Sequence, residues 1–288
     1  MVMLLFRYFA SHAFQTIRDL QLMVSRISGF NDPFEFMYRP TGTMTREKAR
    51  DYVSTDRYLN FAADRFQGRN SHLSRKKALR MAKARIPLFA KSLIENFDSL
   101  RDSSIERREE MVDRSIRVSC FANAEEVNSL DEILMWSHYA KKHEGFRIGF
   151  EFPSDKVLPF KVVEVNYSDK RVPLDLSMLA NETEAFEQAL MECNKTKSRA
   201  WSYEREFRLF THPKFCVRGK DLQSGALDFV DLERSWIRRV DFGIRTPINE
   251  RKAIFDLISS GDFQIECCQA KYHRSDYALE YDPVVTVD

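Results

Sequence analysis

The sequence predicts an α+β protein, a mostly antiparallel twisted sheet with an inserted helical subdomain, and three features carry that expectation. Short runs alternating apolar and polar residues recur after residue 115, the mark of half-buried strands. Between about 45 and 115 the chain is charged and almost free of glycine, with Pro87 as its one proline, a pattern that suits amphipathic helices. The signatures of nucleotide-binding and hydrolase α/β folds are missing: there is no GxGxxG after a strand, no Walker loop and no GxSxG, nor is there a zincin HExxH.

Taken in order, MLLFRYF (3–9) reads as a first strand and FQTIRDLQLM (14–23) as a helix, and Gly29, Asn31, Asp32 and Pro33 in SGFNDPFE supply turn chemistry. Two or three amphipathic helices fit the insert. Strands are expected at IRVSCFA (116–122), GFRIGFEF (145–152), KVVEVNY (161–167), EREFRLF (204–210), IRRVDFG (237–243) and FQIECC (263–268). Helices are expected at 131–142, 183–199 and 249–259, the last started by Thr246 and Pro247. No internal repeat or low-complexity linker divides the chain, so 1–288 reads as a single domain with a helical insert over about 45–115.

Bulk properties narrow the setting. A net charge of +2 excludes a global field for nucleic acid or membrane, but Arg46–Lys91 holds thirteen Lys/Arg against four Asp/Glu, a local basic excess that can take nucleic acid or an acidic protein surface. The bland reading of that excess is a solvated helix face. No apolar run reaches the roughly 18 residues of a membrane span and the amino terminus lacks signal-peptide features, so no membrane association is expected and a cytoplasmic location is. Five scattered cysteines without CxxC spacing suit buried thiols rather than disulfides or zinc, and no metal site is expected.

Chemistry concentrates in a few stretches. In KSRAWSYEREFRLF (197–210), strand alternation would put Glu204, Glu206 and Arg208 on one face, with two acids about 7 Å apart. Such a pair can serve acid and base roles, or be a solvated sheet edge with Arg208 paired to Glu206. In VSCFA (118–122), Ser119 permits close approach of a ligand and Phe121 offers a stacking surface, although core packing explains Phe121 equally well. WSHYAKKHEGFRIGFEF (136–152) places His138 beside Tyr139, either as a base near a shelf for a flat ring or as a hydrogen-bonded structural residue. Arg7, beside Tyr8 on the first strand, needs an anion, a carboxylate such as Glu206, or solvent at the strand end.

Assembled, these residues resemble the DUF2971 family, a set of bacterial and phage-associated proteins of unassigned function, through FNDPFE (30–35), SCFA (119–122), LMWSHYAKKHEGFRIGF (134–150), VNYSD (165–169), KSRAWSYEREFRLF and IRRVDFG. More distantly, an early-strand Arg7, a Ser-Phe-Ser-like strand that here reads Ser119-Cys120-Phe121-Ala122, and a late Glu-X-Glu are similar to the ADP-ribosyltransferase superfamily. That second resemblance implies an ADP-ribosyltransferase-like sheet and NAD as substrate. It also implies Arg7 as an NAD-binding residue, Ser119 shaping the nicotinamide pocket, Glu206 on the ribose and Glu204 orienting an unknown macromolecular acceptor; beside these, Tyr8, Phe121 and Tyr139 are candidate cofactor-binding residues and His138 a candidate catalytic one. The setting it suggests is a toxin or phage defence. Cysteine before Phe121 and alanine in place of the last serine depart from the pattern. Two other readings stay open: a non-catalytic ligand-binding module, and a nuclease-like hydrolase using Glu204, Glu206 and Asp32 with a divalent metal.

Overall fold

The computed structural model describes residues 3–10, 15–123, 129–181, 184–221, 225–261 and 265–285. The first third of the chain runs β1 (Leu5–Phe9), α1 (Gln15–Asp19), β2 (Gln21–Val24), β3 (Arg39–Thr41), α2 (Arg46–Ser54), α3 (Asp56–Arg69), α4 (Arg75–Ala84), α5 (Ile86–Asp102) and α6 (Arg108–Ser115). The middle runs β4 (Arg117–Asn123), α7 (Ser129–Tyr139), β5 (Phe146–Phe150), β6 (Phe160–Glu164), β7 (Asn166–Ser168), β8 (Pro173–Asp175), α8 (Glu184–Asn194) and β9 (Thr196–Ser198). The last third runs β10 (Glu206–Thr211), β11 (Val217–Asp221), β12 (Gly225–Asp231), β13 (Ile237–Phe242), α9 (Ile248–Ser259), β14 (Glu266–Tyr272) and β15 (Leu279–Pro283). Among the described residues no helix is long and apolar enough to cross a membrane.

The chain divides into two compact units, Met1–Pro33 with Met111–Tyr167 and Lys197–Asp288, and Phe34–Glu110 with Ser168–Thr196. The second unit is broader than a helical insert over 45–115, because it also takes in the later stretch from Ser168.

The first unit is built on an eight-stranded sheet of order β15-β14-β13-β5-β1-β4-β10-β6, antiparallel at every neighbour except the parallel pair β13/β14 that α9 connects. A mixed α/β architecture with a large, mostly antiparallel sheet is what the alternating runs implied. Strand register sorts the side chains onto two faces, since directly paired residues point the same way. Leu5, Phe9, Phe146, Ile148, Phe150, Leu209, Val240 and Phe242 share one face and pack with Ile254 and Ile258 of α9 in the main apolar core. Phe6, Tyr8, Ala122, Arg147, Glu206, Arg208 and Asp241 share the other, where Met135, Trp136 and Ala140 of α7 and its end pack on Phe6, Tyr8 and Ala122. A second sheet, β11-β12-β2, is antiparallel.

The first helix is shorter than the spacing of FQTIRDLQLM implies. Leu20 takes a left-handed backbone conformation with φ 51°, which stops α1 at Asp19 and turns Gln21–Val24 into a strand. In the second unit the expected two or three helices are more numerous because Thr55 and Ser74 interrupt the run. Their side-chain oxygens accept backbone N–H groups of Tyr58 and Lys77 and so start α3 and α4, while Pro87 sits in the first turn of α5. That unit has its own core of Tyr38, Met44, Val53, Phe97, Leu174 and Leu176, and a parallel pair β3/β8.

The joint between α7 and β5 explains the odd composition of WSHYAKKHEGF. Lys141, Lys142 and His143 are all left-handed, with φ 48°, 56° and 70°, a conformation costing roughly 1–2 kcal/mol per residue. The Gly145 N–H donates to the Ala140 carbonyl at 2.9 Å, and the His143 ring stacks on fully buried Trp136 at 6.2 Å. A Cβ on Gly145 would lie 2.0 Å from the Phe9 carbonyl oxygen. Gly145→Ala should therefore lower stability by about 1–3 kcal/mol in a urea melt. Gly68→Ala, in α3 where a Cβ meets nothing within 4 Å, should be neutral or stabilise by up to about 1 kcal/mol. Equal effects at the two positions would contradict the close-approach account.

Candidate active site

Glu204 and Glu206 come from different local structures. A 3-10 turn spans Arg199–Glu204, Arg205 is left-handed at φ 44° and ψ 50°, and β10 starts only at Glu206. The strand expected from 204 is thus shortened by the kink at Arg205, whose carbonyl accepts from the Asn123 N–H at 3.0 Å. The kink nevertheless delivers both carboxyls to one ammonium: Lys197 Nζ lies 2.6 Å from Glu204 Oε2 and 2.9 Å from Glu206 Oε2. Arg208 Nε donates to Glu206 Oε1 at 2.7 Å, Tyr139 donates its hydroxyl to Glu204 Oε1 at 2.5 Å, and the Glu206 backbone N–H donates to the Tyr167 hydroxyl at 2.9 Å.

The solvated-edge reading of this stretch does not hold. β10 lies between β4 and β6, and Glu204, Glu206 and Arg208 are 3%, 2% and 0% exposed. Burial raises the pKa of both acids, but the two environments then diverge. At Glu206 the adjacent charges of Arg208 and Lys197 outweigh burial and hold the carboxyl down at about 2. At Glu204 burial dominates over Lys197, and the Glu206 charge adds to it, so the group sits at about 7. Burial and the Glu204 carboxylate push the Tyr139 hydroxyl up, and burial first, then the Glu206 charge, raise the Cys120 thiol well above its usual value. With Lys197 and Arg208 charged, the four-residue cluster is neutral when Glu204 is ionised and carries +1 when it is protonated.

Aromatic groups surround the cluster. Lys197 Nζ lies 5.0 Å from the Trp201 ring centre, the Tyr203 ring lies 6.1 Å from Trp201, and exposed His138 has Nδ1 3.2 Å from the Tyr203 hydroxyl. His138 therefore touches the rim rather than either carboxyl. Tyr8 is on the same sheet face as Glu206 but belongs to a neighbouring buried network. There Arg147 donates to the Tyr8 hydroxyl at 3.1 Å, to Asp241 at 2.7 Å and to Glu132 at 2.6 Å, and it stacks over Phe6 at 4.0 Å.

Arg7, Ser119 and Phe121 do not join this site. Register pairs Arg7 with Ile148, Ser119 with Leu209 and Phe121 with Phe207, all on the face opposite Glu206. Arg7 donates to the Met23 carbonyl at 2.6 Å and to the Ser119 hydroxyl, and burial lowers its pKa to about 10. The single pocket expected from Arg7, Ser119, Phe121 and Glu206 is thus split by the sheet itself: odd-numbered β1 residues and even-numbered β10 residues face opposite ways. Asp32 is buried, and among the described residues no group of three or more His, Cys, Asp or Glu side chains is placed to hold a metal ion.

Sequence reasoning passed over Lys197, Tyr167, Cys120 and the Arg147 network. Lys197 opens the quoted stretch, yet nothing local says that it folds back onto residues seven and nine positions later. Arg147 had a usable signal, being an arginine at an interior position of a strongly apolar strand, where a guanidinium must find carboxylates.

The divergent acids make opposite contributions to stability against pH. Glu206, lowered in the fold, contributes stability that is present above its unfolded value near 4.5 and lost as pH falls toward 2. Glu204, raised in the fold, binds more protons folded than unfolded between about 4.5 and 7, so stability falls as pH rises through that window. Glu204→Gln should remove that fall, on the order of 3 kcal/mol, in urea melts across the same range. An identical pH profile for the variant would contradict the raised pKa.

Residues 135–209 match the model of a family described as a protein of unknown function, DUF2971. No curated protein and no solved structure gives a significant match, and the ADP-ribosyltransferase resemblance finds no support in these comparisons. The matched stretch includes Tyr139, Lys197, Glu204, Glu206 and Arg208, the whole of the Glu204–Glu206 cluster, and of the second network it includes Arg147 but not Tyr8, Glu132 or Asp241.

Proposed function

We propose that this chain is an enzyme of the ADP-ribosyltransferase-like kind, acting on the N-glycosidic bond of NAD, with Glu204 rather than Glu206 as the catalytic carboxyl. One observation carries the reading: two buried acids two residues apart share the Lys197 ammonium, and while Arg208 and Lys197 hold Glu206 below the usual carboxylate range, burial raises Glu204 above it. Paired acids with separated pKa values are the pattern of acid–base division of labour. A carboxyl near 7 is suited to accept and return a proton at neutral pH. Glu206 is fixed as an anion by Arg208 and Lys197, and its work is to hold Lys197 against Glu204.

In this reading the bond from ribose C1′ to the nicotinamide nitrogen breaks and nicotinamide leaves as a neutral ring with the bonding pair. The acceptor nucleophile bonds to C1′, and its proton passes to Glu204. The rings of Trp201, Tyr203 and Tyr139 supply stacking surfaces for a flat heterocycle. Arg199 and Arg205, both exposed, bracket the turn that carries Glu204 and suit the pyrophosphate. The acceptor is a macromolecule of unassigned identity. A second reading, a binding module that breaks no bond, is favoured by the 3% exposure of Glu204, whose two carboxyl oxygens are already taken by Tyr139 and Lys197.

The test is nicotinamide release from NAD, followed with wild type, Glu204→Gln and Glu206→Gln beside thermal melts. Glu204→Gln should lower turnover roughly a hundredfold or more with the fold retained. Glu206→Gln should chiefly destabilise, by about 3–5 kcal/mol, because it leaves Arg208 and Lys197 buried without their shared anion. NAD bound without turnover by wild type would select the binding module, and turnover unchanged in Glu204→Gln would remove Glu204 from the reaction.

A further inference from the structure

The basic excess in Arg46–Lys91 is not used by the Glu204 site. In the second unit it lines an open groove of about 900 Å³ between α2, the end of α4 and the first half of α5. Ile86, Ala90 and Ile94, spaced four residues apart on α5, form its floor, and Arg46, Arg50 and Lys83 stand on its walls, all three exposed. Those three cations enter no ion pair among the described residues, while Lys91 is matched by Glu95 at 3.7 Å. The positive field does not end at the groove, because α4 (RKKALRMAKA) carries five cations and no acid.

We propose that this groove binds an acidic amphipathic helix of a partner protein. The floor runs about 12 Å along α5, eight residues at 1.5 Å each, which matches two turns of a docked helix presenting apolar side chains at the same spacing. Charge complementarity supplies the rest: carboxylates flanking the partner's apolar stripe meet the wall cations and set orientation and association rate. The aliphatic floor argues against single-stranded nucleic acid, whose bases are held by aromatic stacking, since the groove lining includes no aromatic ring. A phosphate backbone would satisfy the walls and leave Ile86, Ala90 and Ile94 unused.

The experiment uses fluorescence anisotropy with the full chain and three labelled probes: a synthetic helix-forming peptide with leucines at helical spacing flanked by glutamates, a scrambled peptide of the same composition, and an oligothymidylate. The amphipathic peptide should bind, the scrambled one far more weakly. Arg50→Glu with Lys83→Glu, both at exposed positions, should weaken binding by about tenfold or more, and Ile94→Gln should weaken it without changing its salt dependence. Equal binding of both peptides, no binding of either, or oligothymidylate binding that is tighter and lost in the same charge variants would each overturn the proposal, the last in favour of a nucleic-acid surface.

Discussion

The rest of the first unit depends on the neutralisation of charge inside one face of its sheet. Glu206 and Arg208 sit on an interior strand with almost no solvent exposure, and Arg147 and Asp241 do the same on two neighbouring strands. Isolated, each of these groups would cost several kcal/mol to bury. They are tolerated because each has its counter-charge within hydrogen-bonding distance: Lys197 and Arg208 around Glu206, and Glu132 and Asp241 around Arg147. The geometry of these pairs constrains strand register, since a shift by one residue would carry the charges into the apolar core on the other side.

Much of the fold was legible because its strands alternate. IRVSCFA, GFRIGFEF and IRRVDFG became β4, β5 and β13 within a residue or two, the helix around Trp136 formed within three residues of its expected span, and the helix after Pro247 began where its start signal lies. Two element boundaries were not legible because tertiary context chose the backbone conformation there. Leu20 and Arg205 are non-glycine residues in the left-handed region, and each ends a pattern that spacing alone would continue.

The site was legible in half. Glu204 and Glu206 were visible as a pair, and Tyr139 as a neighbour, but the opposite shifts of the two acids depend on Lys197 and Arg208, whose positions follow from a turn and from burial. Arg7 shows the converse failure: its residue type and strand were read correctly, and the parity of the sheet then put it on the far side from the acids, bonded to Ser119 and Met23. Order along the chain places motifs on strands; only register says which face they share.

Burial raises the Glu204 carboxyl toward neutrality, while Arg208 and Lys197 keep Glu206 ionised. Carboxyl-carbon NMR of glutamate-labelled protein, followed against pH in wild type and in Glu204→Gln, tests it without assuming a substrate. Wild type should show one buried glutamate resonance with a midpoint near 7 that disappears in the variant. A set of glutamates that all titrate in the ordinary carboxylate range, around 4.3, would contradict it.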